Sequence, residues 1–299
     1  MKWSPNKIYS AQKKVILEYF SREWIYWQDV YSNKVQTKDL FHKYEMQKRK
    51  KHVLSLLQST TAPKGITVHD VGCGTGVIME EIDGINNYII GIDLSHKMLQ
   101  EAKKRIESNK VNLFGFVRCD AENLPFKDKI FDAIVGMGLM EYLQDREGFY
   151  TETGRVIAEK GIIILTFPNM FKLKSILDPN TYASRLLRFI QLRLIHSKKN
   201  IYRKNYNPFL NEDFSSNKFT LSKIKKETKA MEYNIEKIIC LGFGPFTIWK
   251  KRIFPDRISI EICALIEKAC KIFYPLNVIA NRWVISFVLD RNYQRSDKF

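Results

Sequence analysis

No uncharged run in the 299-residue chain is long enough to cross a bilayer, and the opening Met-Lys-Trp-Ser-Pro-Asn-Lys lacks the apolar core of a signal peptide. The expectation is therefore neither an integral membrane protein nor a secreted one, but a cytoplasmic one. Cysteine is scarce. Cys73, Cys119, Cys240, Cys263 and Cys270 form no Cys-x-x-Cys pair, so they read as small buried hydrophobes of a reducing compartment. There is no internal repeat and no low-complexity tract. Acid is in deficit, with 32 Asp and Glu against 49 Lys and Arg, a formal net charge of +17.

That excess of base is concentrated. Between Met170 and Leu210 stand Lys172, Lys174, Arg185, Arg188, Arg193, Lys198, Lys199, Arg203 and Lys204, opposed only by Asp178. Such a segment attracts phosphate, whether of nucleic acid, a lipid surface or a substrate. With 45% hydrophobic residues the chain can bury a full core, and one domain with additions is expected.

The most specific local signal is Ile66 to Gly76, Ile-Thr-Val-His-Asp-Val-Gly-Cys-Gly-Thr-Gly. An apolar run suited to a central parallel strand breaks into a glycine-rich turn where a helix should begin. Gly72, Gly74 and Gly76 remove Cβ atoms where the backbone must turn and approach a ligand, and Asp70 falls at the carboxyl end of the strand, where open α/β sheets bind ligands. Spacing excludes two common nucleotide loops. A dinucleotide fingerprint from Gly72 needs glycine at Val77, and a P-loop needs a lysine that does not follow Gly76.

What remains, Asp-x-Gly-x-Gly-x-Gly, resembles the first motif of class I S-adenosylmethionine-dependent methyltransferases, and further matches follow in order over roughly residues 60–170. Tyr88-Ile89-Ile90-Gly91-Ile92-Asp93 is an apolar strand ending in an acid, whose carboxylate can accept both ribose hydroxyls; the alternative is that Asp93 merely starts the next helix. Ser95 is the expected N-cap of that helix, which carries Met98, Leu99, Ala102 and Ile106 at helical spacing. Phe116 to Phe126 supplies Asp120, to which the resemblance gives the adenine amino group, with Ala121 against the ring. Phe131 to Leu143 matches a fourth strand opening into a helix, and Ile162 to Phe167 a fifth strand stopped by Pro168. The resemblance implies a cofactor site of Asp70, Gly72, Cys73, Gly74, Gly76, Asp93, Leu94, Asp120, Ala121, Gly136 and Met137, holding S-adenosyl-L-methionine. It also implies a Rossmann-like, doubly wound α/β sheet of seven strands with an antiparallel last strand.

Around that frame the expected organisation is a helical lid over residues 1–60 and a methyltransferase domain over 61–299, with a cap inserted at 169–231. In the lid, by analogy with small-molecule methyltransferases, Tyr31 and Arg49 are candidates for the methionine carboxylate; packing of the lid on the core is the plainer alternative. In the insertion, Leu186 to Ile195 reads as a helix apolar nearly all round, punctuated by Arg185, Arg188 and Arg193. A substrate cap, a dimer face and an anionic membrane surface along residues 184–204 all fit that pattern. Ile235 to Leu241 and Trp283 to Leu289 are the expected sixth and seventh strands, a terminal antiparallel edge. Between them Ile258, Ile262, Leu265, Ile266, Ala269, Ile272 and Phe273 predict one apolar helix face.

Methyl transfer from a sulfonium is an in-line displacement. The protein positions the acceptor and, for a weakly acidic hydroxyl, removes its proton. No Asn/Asp-Pro-Pro-Tyr/Phe follows the fourth strand, against the common designs that methylate adenine, cytosine or glutamine nitrogen. The fourth motif is similar to that of quinone-biosynthetic O-methyltransferases, whose Glu-x-x-Glu-His can hold a metal. Here Gly138, Glu141 and Tyr142 stand at those positions, so no metal is predicted. Glu141, Tyr142 and His42 remain candidates for general base or substrate orienter; for Glu141 the competing reading is an acid favoured at a helix N-terminus. His69, inside the first strand, reads as a core residue. The expected function is methylation of a small or lipid-like acceptor, at oxygen. The rivals are an RNA methyltransferase, motivated by charge alone and disfavoured by the lack of an RNA-binding module, and a binding protein that keeps the fold without catalysis. The sequence says nothing about oligomeric state.

Overall fold

The computed structural model describes residues 11–31, 39–59, 65–82, 88–108, 114–179, 182–183, 217–249 and 251–290. Seven strands, β1 (Thr67–Val71), β2 (Tyr88–Asp93), β3 (Phe114–Arg118), β4 (Phe131–Gly136), β5 (Ile157–Pro168), β6 (Tyr233–Leu241) and β7 (Arg282–Leu289), form one sheet. Their order is β3-β2-β1-β4-β5-β7-β6. The first five pair in parallel, and β7 runs antiparallel to both β5 and β6. The chain leaves β1 toward β2 and β3 on one side and returns to β4 and β5 on the other. That reversal opens a crevice beyond the carboxyl ends of β1 and β4.

The helices are α1 (Ala11–Arg22), α2 (Trp24–Tyr31), α3 (Leu40–Gln58), α4 (Met79–Ile82), α5 (His96–Ser108), α6 (Arg146–Val156), α7 (Leu173–Leu177), α8 (Leu221–Ala230) and α9 (Asp256–Cys270). They cover both sheet faces and so create two cores. One joins Val53, Leu54 and Leu57 of α3 and Ile106 of α5 to Val68, Val135, Ile164 and Val284. The other joins Phe149, Tyr150 and Val156 of α6 and Ile224 of α8 to Ile134, Ile163, Ile285 and Phe287. Burial on both faces explains why the central strands read as continuous apolar runs.

The last two strands form the expected terminal antiparallel edge, with β7 on the inside, between β5 and β6. The β7 residues Trp283, Val284, Ile285 and Phe287 are fully buried, whereas β6 carries Glu236 and Lys237 and a register shift beside them, which suits an exposed edge. Several local expectations are corrected. No helix opens at Glu141. Residues 137–145 are turns, and α6 starts only after Asp145, whose carboxylate accepts the Gly148 N–H at 2.9 Å. β5 begins at Ile157, directly after α6 and earlier than expected, and ends at Pro168 as expected, its last paired residue. Trp24 to Tyr31 is a helix of its own.

The apolar residues spaced along α9 divide between core and solvent. Ser259, Cys263 and Cys270 are buried and Ile266 packs against the cluster of Cys263 and Cys270, Ile258 and Leu265 are exposed, and Ile272 and Phe273 lie beyond the helix end. The small thiols and a serine occupy the buried positions, with Ile260 and Ile266 packed half-buried against the same cluster. The predicted helix of Leu186 to Ile195, and the whole of 184–204, lie outside the described residues.

Candidate functional site

The turn after β1 follows from its glycines. Gly72, Gly74 and Gly76 all have φ between 55° and 75°, a region that side chains other than glycine seldom enter. They do different jobs. A Cβ on Gly76 would stand 3.2 Å from Cβ of Ala102, so this glycine lets α5 approach. A Cβ on Gly74 would meet nothing within 4 Å, so its bare backbone borders open space. That space is a cleft of about 1260 Å³, open mouth included, lined by Asp70, Gly72, Cys73, Gly74, Asp93 and Leu94 on one side. Asp120, Ala121, Met137, Glu141, Tyr142, Tyr31 and Arg49 complete the wall.

Asp93, at the tip of β2, is oriented by backbone: Gly74 N–H donates to Oδ2 at 3.0 Å and Ser95 N–H to Oδ1 at 2.8 Å. Ser95 caps α5, its Oγ accepting the Met98 N–H at 3.2 Å. Asp120 accepts the Glu122 N–H at 3.1 Å on Oδ1 and Lys13 Nζ at 2.6 Å on Oδ2, and Lys13 also pairs with Glu122. α1 thus lies across the cleft and is fixed at both ends. Its far end makes a 2.8 Å hydroxyl contact from Ser21 to Ser95, and Phe20 meets Tyr142 edge-on with ring centroids 5.0 Å apart.

At the opposite end of the cleft, Arg49 from α3 is buried and hydrogen-bonds the Tyr31 hydroxyl. It lies against Gly138, whose φ of 76° and missing Cβ leave room for the guanidinium. Arg282, first residue of β7, donates to Oε1 of Glu141 at 3.2 Å. Oε2 of Glu141 is buried with no hydrogen-bond partner among the described residues.

Three predicted residues fall outside this wall. His42, on α3, stacks on Tyr26 at 6.1 Å between ring centroids and does not line the cleft; the first turn of α3 is held at the start of α9, where Asp256 accepts the Leu40 N–H at 3.1 Å. Gly76 serves α5. A Cβ on Gly136 would stand 2.7 Å from Cδ2 of Leu165, so that glycine serves the packing of β4 on β5. Conversely, Lys13 and Arg282 line the cleft without having been singled out. Arg282 had a usable signal, a lone charge opening an otherwise apolar strand. Lys13 had none, because its partners are more than a hundred residues away.

Burial sets the electrostatics. Asp70 is pushed up to about 7 by burial and then by the nearby Asp93, and one of its oxygens has no partner among the described residues. Asp93 is pushed up to about 6 by burial, against its backbone hydrogen bonds. Arg49 is brought down to about 9 by burial and then by Arg282. His69, stacked on Phe131, is held down to about 4 by burial. The carboxylates give a testable sign. An unfolded aspartate ionises near 3.8, but folded Asp70 resists until about 7, so a folding penalty grows as pH rises between those values. Asp70→Asn is expected to raise the ligand-free thermal midpoint at pH 8, by on the order of 2–4 kcal/mol of stability, with the gap closing by pH 4. Thermal denaturation across that range checks it, and a gap independent of pH would contradict the assignment. His69 acts in the opposite sense, its neutral folded ring losing stability as pH falls from 6.5 toward 4.

Residues 69–165, which run from β1 through β5, match the family model described as "Methyltransferase domain". They are a class I methyltransferase domain. The Ubiquinone biosynthesis O-methyltransferase of Pelagibacter ubique is 28% identical over 137 residues, covering 46% of this chain and 56% of that protein. The Demethylmenaquinone methyltransferase of Desulfitobacterium hafniense is 34% identical over 113 residues, covering 36% and 44%. The chain thus spans about half the length of the curated relatives it matches. Among solved structures, magnesium protoporphyrin IX methyltransferase from Synechocystis with bound S-adenosylhomocysteine shares the fold at a TM-score of 0.56. It is 15% identical, with 93% of this chain and 99% of that one covered.

The cleft of this methyltransferase domain fits the domain's usual methyl donor on its own chemistry. An oriented carboxylate stands at the tip of β2, an acid follows β3, and bare glycine backbone borders the space between. A partnerless aspartate oxygen and a buried guanidinium provide one group for an ammonium and one for a carboxylate.

Proposed function

We propose that the chain is an S-adenosyl-L-methionine-dependent methyltransferase acting on a small or lipid-like acceptor, at oxygen. The bound donor would supply an electrophilic methyl on a sulfonium. Asp93 would accept the ribose hydroxyls, Asp120 the adenine amino group, and Arg49 with Tyr31 the methionine carboxylate. Asp70, with an oxygen that has no partner among the described residues, would take the remaining cationic group. The three N-terminal helices act as the lid that excludes water, and residues 169–231 as the cap on the acceptor side, apart from α8, which Ile224 packs onto the sheet.

The observation that carries the oxygen assignment is the Glu141 carboxylate. Arg282 holds Oε1, while Oε2 is buried and without a partner among the described residues, in the wall of the cleft beside Tyr142. A carboxylate presented in this way can take the proton of an acceptor hydroxyl as the methyl is transferred. Tyr142 is held protonated by burial and so suits a hydrogen-bond donor rather than a base. Transfer of radiolabelled methyl from the donor into a total lipid extract, and separately into total RNA, tests this reading. Label is expected in the lipid extract and lost in Glu141→Gln while affinity for S-adenosylhomocysteine is kept. Label confined to RNA would overturn it.

A cytoplasmic protein that visits an anionic membrane through residues 184–204 accords with a lipid-like acceptor. No helix among the described residues is long and apolar enough to cross a membrane. Arg185→Gln, Arg188→Gln and Arg193→Gln together are expected to weaken sedimentation with anionic vesicles. The same sedimentation in wild type and variant would remove that segment from the account.

A further inference from the structure

β5 and β6 run parallel to β1 and β4, so their carboxyl ends share the sheet edge that carries the cleft, as does Arg282 at the start of β7. After β6 the chain forms a small antiparallel hairpin, Thr247–Ile248 with Lys251–Arg252, at that edge. Its turn puts a tryptophan outside: Trp249 is 59% exposed and has φ of 49°, a strained conformation for a bulky side chain. The conformation is enforced from within. Buried Asp178 accepts the Thr247 hydroxyl on Oδ2 at 3.0 Å and the Trp249 N–H on Oδ1 at 2.9 Å. Ile248 and Ile253 flank the tryptophan and are about half exposed. Phe254 is edge-on to buried Phe246.

The hairpin is joined to the start of α9 by the Arg252–Asp256 ion pair, and that helix carries exposed apolar residues of its own. Ile258 and Leu265, seven residues apart, point away from the core-facing Cys263 and Cys270, and Ile272 follows just past the helix end, with Leu265 65% and Ile272 91% exposed. Basic residues accompany it. Lys251 in the hairpin and Arg257, Lys268 and Lys271 in and just after α9 are exposed. Arg252 is tied to Asp39 and Asp256, which neutralises those acids rather than presenting them.

We propose that this surface, the Trp249 hairpin with the outer stripe of α9, docks on an anionic lipid bilayer. An interfacial tryptophan, branched aliphatic side chains and interleaved lysines are what a headgroup layer of negative charge accepts. The surface forms from described residues distinct from 184–204, and it stands independently of methyl transfer. The test is sedimentation of the full chain with phosphatidylcholine vesicles, with and without phosphatidylglycerol, at low and high salt. Wild type is expected to partition onto the anionic vesicles at low salt. Ile248→Thr, Trp249→Asn and Ile253→Thr together are expected to lower that partition by about tenfold or more. Asn tolerates the left-handed backbone, and unchanged affinity for S-adenosylhomocysteine certifies the fold. Leu265→Gln with Ile272→Gln is expected to give a similar loss without touching the hairpin.

The proposal is overturned by no partition of wild type at low salt. It is equally overturned if both variants partition normally while the triple arginine variant of 184–204 does not. A concentration-dependent dimer that the hairpin variant dissociates would assign the surface to a second copy of the chain instead.

Discussion

Asp93→Ala is expected to weaken binding of S-adenosylhomocysteine by about 1.5–3 kcal/mol, roughly 10- to 150-fold, as measured by titration calorimetry. The size follows from charge-assisted hydrogen bonds between one carboxylate and two ribose hydroxyls. The carboxylate is already aimed: the Gly74 and Ser95 N–H groups fix one oxygen each and leave further lone pairs for the ligand. Folding should suffer far less than binding. Burial pushes Asp93 up to about 6, so its removal relieves a penalty at neutral pH that offsets the two backbone bonds lost. Asp93→Asn should be a poor rescue, because its NH₂ group would face one of the two backbone N–H donors. Affinity unchanged in Asp93→Ala would mean that the ribose role is misassigned.

The second large effect is on stability. Trp283→Ala is expected to lower unfolding free energy by roughly 3–5 kcal/mol, read from denaturant melts. Trp283 is fully buried in β7, and its indole N–H donates to the Asn277 carbonyl at 2.8 Å. Truncation opens a cavity between the β5–β7–β6 half of the sheet and its covering helices, and orphans a carbonyl. Arg282 is its neighbour in the chain, so a weaker ligand response in the surviving folded fraction should accompany the loss. Phe in place of Trp should recover most of the stability, since it refills most of the volume. A cost below about 1 kcal/mol would show that β7 is not the packed centre of that half.

The cofactor half of the site was legible in the chain because it is made of consecutive residues. Asp70 to Gly76, Tyr88 to Asp93 and the acid after β3 each carry their signal within one strand and its turn, and the parallel sheet places the three tips together. Strand positions were legible for the same reason, and so was the Ser95 cap. What escaped depends on contacts between distant segments. Lys13 reaches Asp120 only because α1 folds back over the cleft, and Arg282 meets Glu141 only because the last strand inserts beside β5. The expected helix at Glu141 failed because Gly138 takes a positive φ and donates its N–H to Thr166 Oγ1 at 2.7 Å, which makes a turn where the family opens a helix. The apolar periodicity of α9 was real but did not mark its buried positions, since the small core-facing Ser259, Cys263 and Cys270 give a weaker hydrophobic signal than the large exposed Ile258 and Leu265.

Titration of the full chain with S-adenosylhomocysteine in a calorimeter tests the central claim, that the cleft at the ends of β1, β2 and β4 is a methyl-donor site. The account predicts one saturable site, sharply weakened by Asp93→Ala, with adenosine alone binding more weakly because Arg49 and Tyr31 lose the carboxylate they would hold. No heat of binding from a protein with a cooperative thermal transition would contradict it.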